Sequence, residues 1–75
     1  MEAYVFIRAT ANKIPAVQAA LRDVPGIKRV NPVWGVPDII ALAEVSDLGA
    51  LRDLVLNRVQ RVEGVTETDT HIVIE

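Results

Sequence analysis

His71 is the only histidine of this chain and Ser46 its only serine, and cysteine is absent. A zinc site needs several Cys or His ligands, and a nucleophilic site needs a hydroxyl or thiol beside a base. One histidine on a strand supplies neither. Ser46 stands at the start of a helix, the ordinary place for a capping hydroxyl. The glycines at 26, 35, 49 and 64 are spread as punctuation and form no phosphate-cradling loop. Glu67 and Asp69 share one face of the last strand, but an alternating run of Thr and acid reads most simply as a solvated edge. No catalytic constellation and no cofactor motif emerge, so the expectation is a protein that is not an enzyme.

One loop carries a different chemistry. Trp34-Gly35-Val36-Pro37-Asp38 joins two strands, and a tight hairpin accounts for Gly35 and Pro37 without any function. It accounts less well for Trp34, the only tryptophan, close to a carboxylate at the start of a strand. A turn with free backbone N–H groups, an indole wall and Asp38 complements a carboxylate, an apolar side chain and an ammonium group. Those are the parts of an amino acid.

The elements that must position this loop follow from a repeat. Val24-Pro25-Gly26-Ile27 and Val62-Glu63-Gly64-Val65 close two amphipathic stretches, and their glycines lie 38 residues apart. The same offset carries the strand-like Tyr4 to Ala9 onto Leu42 to Asp47 and the helix-like Ile14 to Val24 onto Arg52 to Val62. A βαβ unit used twice gives a βαββαβ domain. The first strand, about Ala3 to Ala9, is apolar on both faces. The first helix starts near Pro15 and aligns Ile14, Val17, Leu21 and Val24. The second strand, about Ile27 to Trp34, contains Pro32 and must lie at an edge. The third, Asp38 to Val45, reads as a central strand covered on both sides. Ser46 or Asp47 caps the second helix, whose Leu48, Leu51, Leu54 or Val55, Val59 and Val62 recur at helical spacing. The last strand runs from about Val65 to Ile74. Right-handed crossovers interleave the units into an antiparallel sheet of order 4-1-3-2 with both helices on one face.

Composition bounds what such a domain can do. With 75 residues the chain is one domain, 1–75, and one of this size buries only ~60% of the surface its unfolded chain exposes. Without cysteine no disulfide or thiolate metal site can staple it, which leaves self-association. A bare face carrying Phe6 and Ile40 would be a patch larger than monomers show, so a dimer packing sheet against sheet is expected. The net charge of −2 argues against direct nucleic-acid binding, which needs clustered Lys and Arg. Arg52, Arg58 and Arg61 are interleaved with Asp53 and Glu63, as on a solvated helix face. The start Met1-Glu2 is not basic, and the apolar run Ile39 to Ala43 is too short to span a bilayer. No membrane contact and a cytoplasmic location are the expectation.

These residues resemble the C-terminal effector domain of the Lrp/AsnC (leucine-responsive and asparagine-regulator) family of transcription regulators. The likeness covers nearly the whole chain. It rests on the G-x-x-D turn at Gly35 to Asp38, on Arg58-Val59-Gln60-Arg61-Val62-Glu63-Gly64-Val65 ending the second helix, and on the T-x-T strand Thr68-Asp69-Thr70 followed by Ile72-Val73-Ile74. The resemblance implies a ferredoxin-like α+β domain that forms a dimeric α/β barrel and assembles into octamer-like rings. It also implies that a small ligand, usually an amino acid, binds near interfaces through the turn and the T-x-T strand. Carried onto this chain, those elements nominate Gly35, Val36, Pro37, Asp38, Thr68 and Thr70, with Trp34 as a neighbouring wall. Typical members carry an N-terminal helix-turn-helix, whereas this chain begins with the first effector strand. The resemblance therefore implies a stand-alone module that acts through its ligand or through a full-length regulator of the same family.

Three other readings stand beside it. A small dimeric α+β barrel enzyme of the cofactor-free monooxygenase type would need polar groups such as Asn31, Trp34 or His71 gathered in an apolar pocket. An ACT-type amino-acid-binding domain usually places a glycine after its first strand, where this chain has Thr10-Ala11-Asn12. A purely structural oligomer needs no ligand, and it ranks below amino-acid binding.

Overall fold

The computed structural model describes residues 1–74. Strand β1 (Glu2–Ala9) is followed by a 3₁₀ turn (Ala11–Lys13) and helix α1 (Ile14–Arg22). Strands β2 (Ile27–Pro32) and β3 (Ile39–Glu44) form a hairpin, and helix α2 (Leu48–Leu54) continues into a π-helical turn (Val55–Val59) before β4 (Val65–Ile72). The sheet is antiparallel with order β2-β3-β1-β4, which is the expected order read from the other edge. This is the ferredoxin-like α+β arrangement, with Pro32 on an edge strand where its missing N–H leaves no gap in the ladder.

The core lies on one side of the sheet. Ala3, Val5 and Ile7 of β1 and Ile39, Ala41 and Ala43 of β3 alternate inward and are wholly buried under Val17 and Leu21 of α1 and Leu51, Leu54, Val55 and Val59 of the second helical segment. The small residues gather at one end of the two central strands, where Ala3 stands opposite Ala43 and Val5 opposite Ala41, and the large Ile7 and Ile39 stand opposite each other at the other end. No polar or charged residue is buried among the described residues.

Boundaries shift where the chain makes a turn earlier than its apolar pattern suggests. The second strand stops at Pro32, not Trp34, because the hairpin loop begins there: the Val33 N–H donates to the Asp38 carbonyl at 3.0 Å as the last rung of the ladder, and Trp34 lies beyond it. The second helix stops being α-helical at Leu54. There the Gln60 N–H reaches back to the Val55 carbonyl at 2.9 Å, so Val62 falls beyond the helix. Asp47, and not Ser46, is the cap: its carboxylate accepts from the Ala50 N–H at 2.8 Å.

The repeat is visible in bonding as well as in sequence. Ile27 N–H donates to the Val24 carbonyl and Val65 N–H to the Val62 carbonyl, each at 3.1 Å. The Gly26 carbonyl then accepts from the N–H of Glu44 at the end of β3, and the Gly64 carbonyl from that of Thr10 just after β1. Gly64 has φ +102°, and a Cβ placed there would lie 2.7 Å from the Lys13 Cβ and 3.0 Å from the Val17 Cγ2. Gly35 also has positive φ but would meet nothing within 4 Å. Gly64→Ala should therefore destabilise the fold by well over ~1 kcal/mol, combining a left-handed backbone with a clash. Gly35→Ala carries only the backbone cost. Urea unfolding midpoints at one chain concentration check the ranking, and equal midpoints for both variants would refute it.

Candidate functional site

Asp38 is the joint between the β2–β3 hairpin and the end of β1. Odd-numbered residues of β1 turn their main-chain groups toward β3, as the Ile7 carbonyl does in accepting from the Asp38 N–H at 3.1 Å. One step further along β1, the Ala9 N–H points the same way, but β3 begins only at Ile39 and offers it no main-chain acceptor. The Asp38 carboxylate fills that role: its Oδ2 accepts from Ala9 N–H at 2.9 Å and lies 3.5 Å from the Arg8 Nε. The side chain thus satisfies a half-buried donor and holds a cation at the mouth of the hairpin.

In front of this joint is a concavity of about 410 Å³, lined by Phe6 and Arg8 of β1, Val36 and Pro37 of the hairpin, and Glu67, Thr68 and Asp69 of β4. Cross-strand register builds it. Arg8 stands opposite Glu67 and Phe6 opposite Asp69, on the face of the sheet away from the helices. Val36, 80% exposed, and Pro37 overhang from the loop. Gly35 at φ +121° and the cis peptide between Val36 and Pro37 turn the chain there. The Asp69 carboxylate also lies 3.1 Å from His71 Nε2, whose ring centroid is 4.8 Å from that of Phe6. A guanidinium, two carboxylates and an apolar overhang within one open cleft can hold a small zwitterion with an apolar tail.

The nominated residues fall into three groups. Val36, Pro37 and Thr68 meet in the concavity, with Gly35 at the hairpin tip and Asp38 behind the lining. Thr68 turns its hydroxyl to the helix side, where it accepts from Gln60 Nε2 at 2.9 Å. Thr70 stands opposite the buried Val5 and lines a separate apolar recess with Leu48, Leu51, Arg52, Val55 and Leu56. Trp34 is wholly exposed and lies outside the lining of the concavity.

Four lining residues fall outside that nomination: Phe6, Arg8, Glu67 and Asp69. Arg8 was the available signal, being the one cation of β1 and the only charged residue between Ala3 and Ala9. Glu67 and Asp69, which in sequence resemble a solvated edge, instead line the concavity that holds Arg8. Asn31 and His71, two of the polar groups a barrel enzyme would have to gather, lie on opposite edge strands. No cluster of three or more His, Cys, Asp or Glu placed to hold a metal occurs among the described residues. Among them, too, no helix is long and apolar enough to cross a membrane.

Comparison with known proteins gives one family. A family model for the Lrp/AsnC ligand binding domain matches residues 2–75. The fold is similar to that of TTHA0845 from Thermus thermophilus, with a TM-score of 0.94 and 31% identity over 99% of this chain and 92% of that one. It is similar to E. coli AsnC, with a TM-score of 0.93 and 20% identity over 99% of this chain and 50% of AsnC. A Neisseria meningitidis transcriptional regulator in complex with L-Met also superimposes, with a TM-score of 0.89 and 18% identity over 99% of this chain and 49% of that one. The last two likenesses, at low identity, are likenesses of fold. No curated protein matches the chain.

The Asp38 joint can be tested directly. Asp38→Ala leaves the Ala9 N–H without its acceptor and should cost about 1–3 kcal/mol. Asp38→Asn keeps an acceptor oxygen there and should retain most of that stability. Amide hydrogen exchange at Ala9, read by NMR, should quicken in Asp38→Ala far more than in Asp38→Asn. Equal protection in both variants would show that the carboxylate does not hold this strand end.

Proposed function

The chain belongs to the Lrp/AsnC ligand-binding domain family, and we propose that it is a regulatory module whose ligand is a free amino acid held beneath the β2–β3 hairpin. The observation that carries this reading is the pairing of opposite charges in one cleft. Arg8 takes the ligand carboxylate, Glu67 and Asp69 take its ammonium, and Phe6, Val36 and Pro37 contact its side chain. In this reading Gly35 and Asp38 position the loop, and Thr68 contributes from the strand. Trp34 and Thr70 lie outside the lining of the cleft and would reach a ligand only across a contact between copies. The L-Met complex of the Neisseria regulator supports an amino acid as the ligand class for this fold.

The same reading includes self-association. Tyr4 and Phe6 of β1 stand opposite Leu42 and Ile40 of β3 on the face that no helix covers, and Tyr4 is 40% exposed. Burying side chains of this size is worth roughly 1.5–3 kcal/mol each. A second copy laid on this face would also roof the cleft, since Phe6 and Arg8 belong to it, and ligand binding would then be coupled to assembly. Leu48 and Leu56 of the second helical segment, both exposed and lining one recess with Thr70, offer a further surface for joining dimers into rings.

A thermal-unfolding screen against single L-amino acids, with assembly mass recorded, tests the proposal. A true ligand at a hundred times its dissociation constant should add about 2.7 kcal/mol. Arg8→Ala should weaken that ligand by about tenfold or more, as expected for losing a charge-assisted hydrogen bond. A ligand whose affinity is unchanged in Arg8→Ala would remove the cleft from consideration, and no response to any amino acid would remove the ligand class.

A further inference from the structure

β4 is an outer strand of the sheet, and Glu67 and Asp69 give it an acidic edge on the face that no helix covers. Residues two apart on a strand share a face, so these two stand about 6.7 Å apart along β4 by backbone rise. Thr68 between them turns to the helix side, where its hydroxyl meets Gln60. Cross-strand register gives the two acids different neighbours: Glu67 stands opposite Arg8, and Asp69 opposite Phe6. One row across the strands is therefore ionic, and the next sets a carboxylate beside an aromatic ring. Val36 and Pro37 complete the lining from the loop.

The charges of this cleft do not balance. Its lining holds one cation and two carboxylates, and Asp38 stands behind it as a third. Arg8 faces Asp38 at 3.5 Å and makes no other ion pair among the described residues. Among the same residues Glu67 makes no side-chain hydrogen bond or ion pair. Asp69 is held through one oxygen by His71 Nε2 at 3.1 Å, and its other oxygen has no partner among them. A neutral amino acid brings a single ammonium to these two carboxylates and leaves one of them uncompensated.

We propose that the ligand is a basic amino acid of the ornithine or lysine kind, its two ammonium groups divided between Glu67 and Asp69. This rests on the amino-acid reading above and names the class within it. The ligand carboxylate sits on the Arg8 guanidinium, and the α-ammonium, borne on the adjoining carbon, falls on Glu67 in the same row. The methylene stem then runs along the strands against Val36 and Pro37. In the next row the terminal ammonium meets Asp69 beside the Phe6 ring. The two-residue step along β4 matches the reach between the two ammonium groups across three or four methylenes. A neutral side chain of the same length would set an apolar end against the Asp69 carboxylate, and an acidic one would set like charge against it.

Calorimetric titration of the whole chain compares L-lysine with L-norleucine, which has the same stem and lacks only the terminal amine, and L-ornithine with L-norvaline. At least one basic member should bind about fivefold or more tighter than its neutral counterpart, as expected for an ion pair reinforced by an aromatic ring. Asp69→Asn should bring that ratio close to one. Asp53→Asn removes the same charge from α2 and should leave the ratio as it stands, with circular dichroism confirming the fold of both variants. A ratio near one in the wild-type chain, or one that survives Asp69→Asn, overturns the basic class and leaves the amino-acid reading in place. A ratio lost equally in Asp53→Asn traces the preference to net charge and overturns the assignment to Asp69. No heat from any of the four, with another amino acid active in the unfolding screen, also overturns the basic class alone. Silence from every amino acid, or cadaverine (lysine without its carboxylate) binding as tightly as lysine, overturns the amino-acid reading itself.

Discussion

Burial on one side of the sheet organises everything else in this molecule. The inward residues of β1 and β3 are apolar without exception and, apart from the partly buried Ala9, wholly buried, and no described polar group joins them in the core. Two helical segments suffice to cover that side, and with both crossovers on it the opposite face has no cover from its own chain. A domain this small needs the burial that its second face would bring. The uncovered face carries Tyr4, Phe6, Ile40 and Leu42, which belong in an interface more than in water.

The second constraint is electrostatic and local. At the end of β1 the strand ladder runs out before its donors do, and the Asp38 carboxylate supplies the missing acceptor to Ala9 while facing Arg8. One side chain thereby ties the hairpin to the central strand and keeps a guanidinium at the edge of the cleft. Elsewhere the ion pairs are exposed and structurally minor. Between Lys28 and Glu44, their mutual hydrogen bond and then their charges raise the lysine and lower the carboxyl. The lowered Glu44 contributes above its ordinary range and loses that contribution as the pH falls through its folded-state value. The raised Lys28 keeps its contribution up to its ordinary range and loses it as the pH rises further.

The candidate cleft and the uncovered sheet face share residues, and under the proposed function that sharing would give regulation a physical form. Phe6 belongs to both the cleft and the bare apolar face, and Asp69 to both the cleft and the acidic edge. Any molecule bound beneath the hairpin would alter the surface offered to a second copy. Any second copy would in turn alter the solvation of the cleft. Coupling of this kind needs no moving lid, only one set of side chains used twice.

The sequence by itself determined the elements and their order. Each is encoded by neighbours in the chain: alternation along β1 and β3, the helical stripe Ile14, Val17 and Leu21, the missing N–H of Pro32 that sends β2 to an edge, and the repeated glycine stops. It also marked the hairpin from Trp34 to Asp38 as unusual. What it did not disclose was which partner each polar group would find. Asp38 is engaged by a donor 29 residues away. The threonines at 68 and 70 turn to the helix side, and Glu67 and Asp69 line the cleft that holds Arg8. These outcomes depend on the register between β1 and β4, the first and last strands of the chain. A shift of one residue in that register would turn every β4 side chain to the opposite face without altering a single local preference. Periodicity is a property of adjacent residues and survives in the sequence, whereas a site is a property of strands brought together, and only the folded sheet brings them.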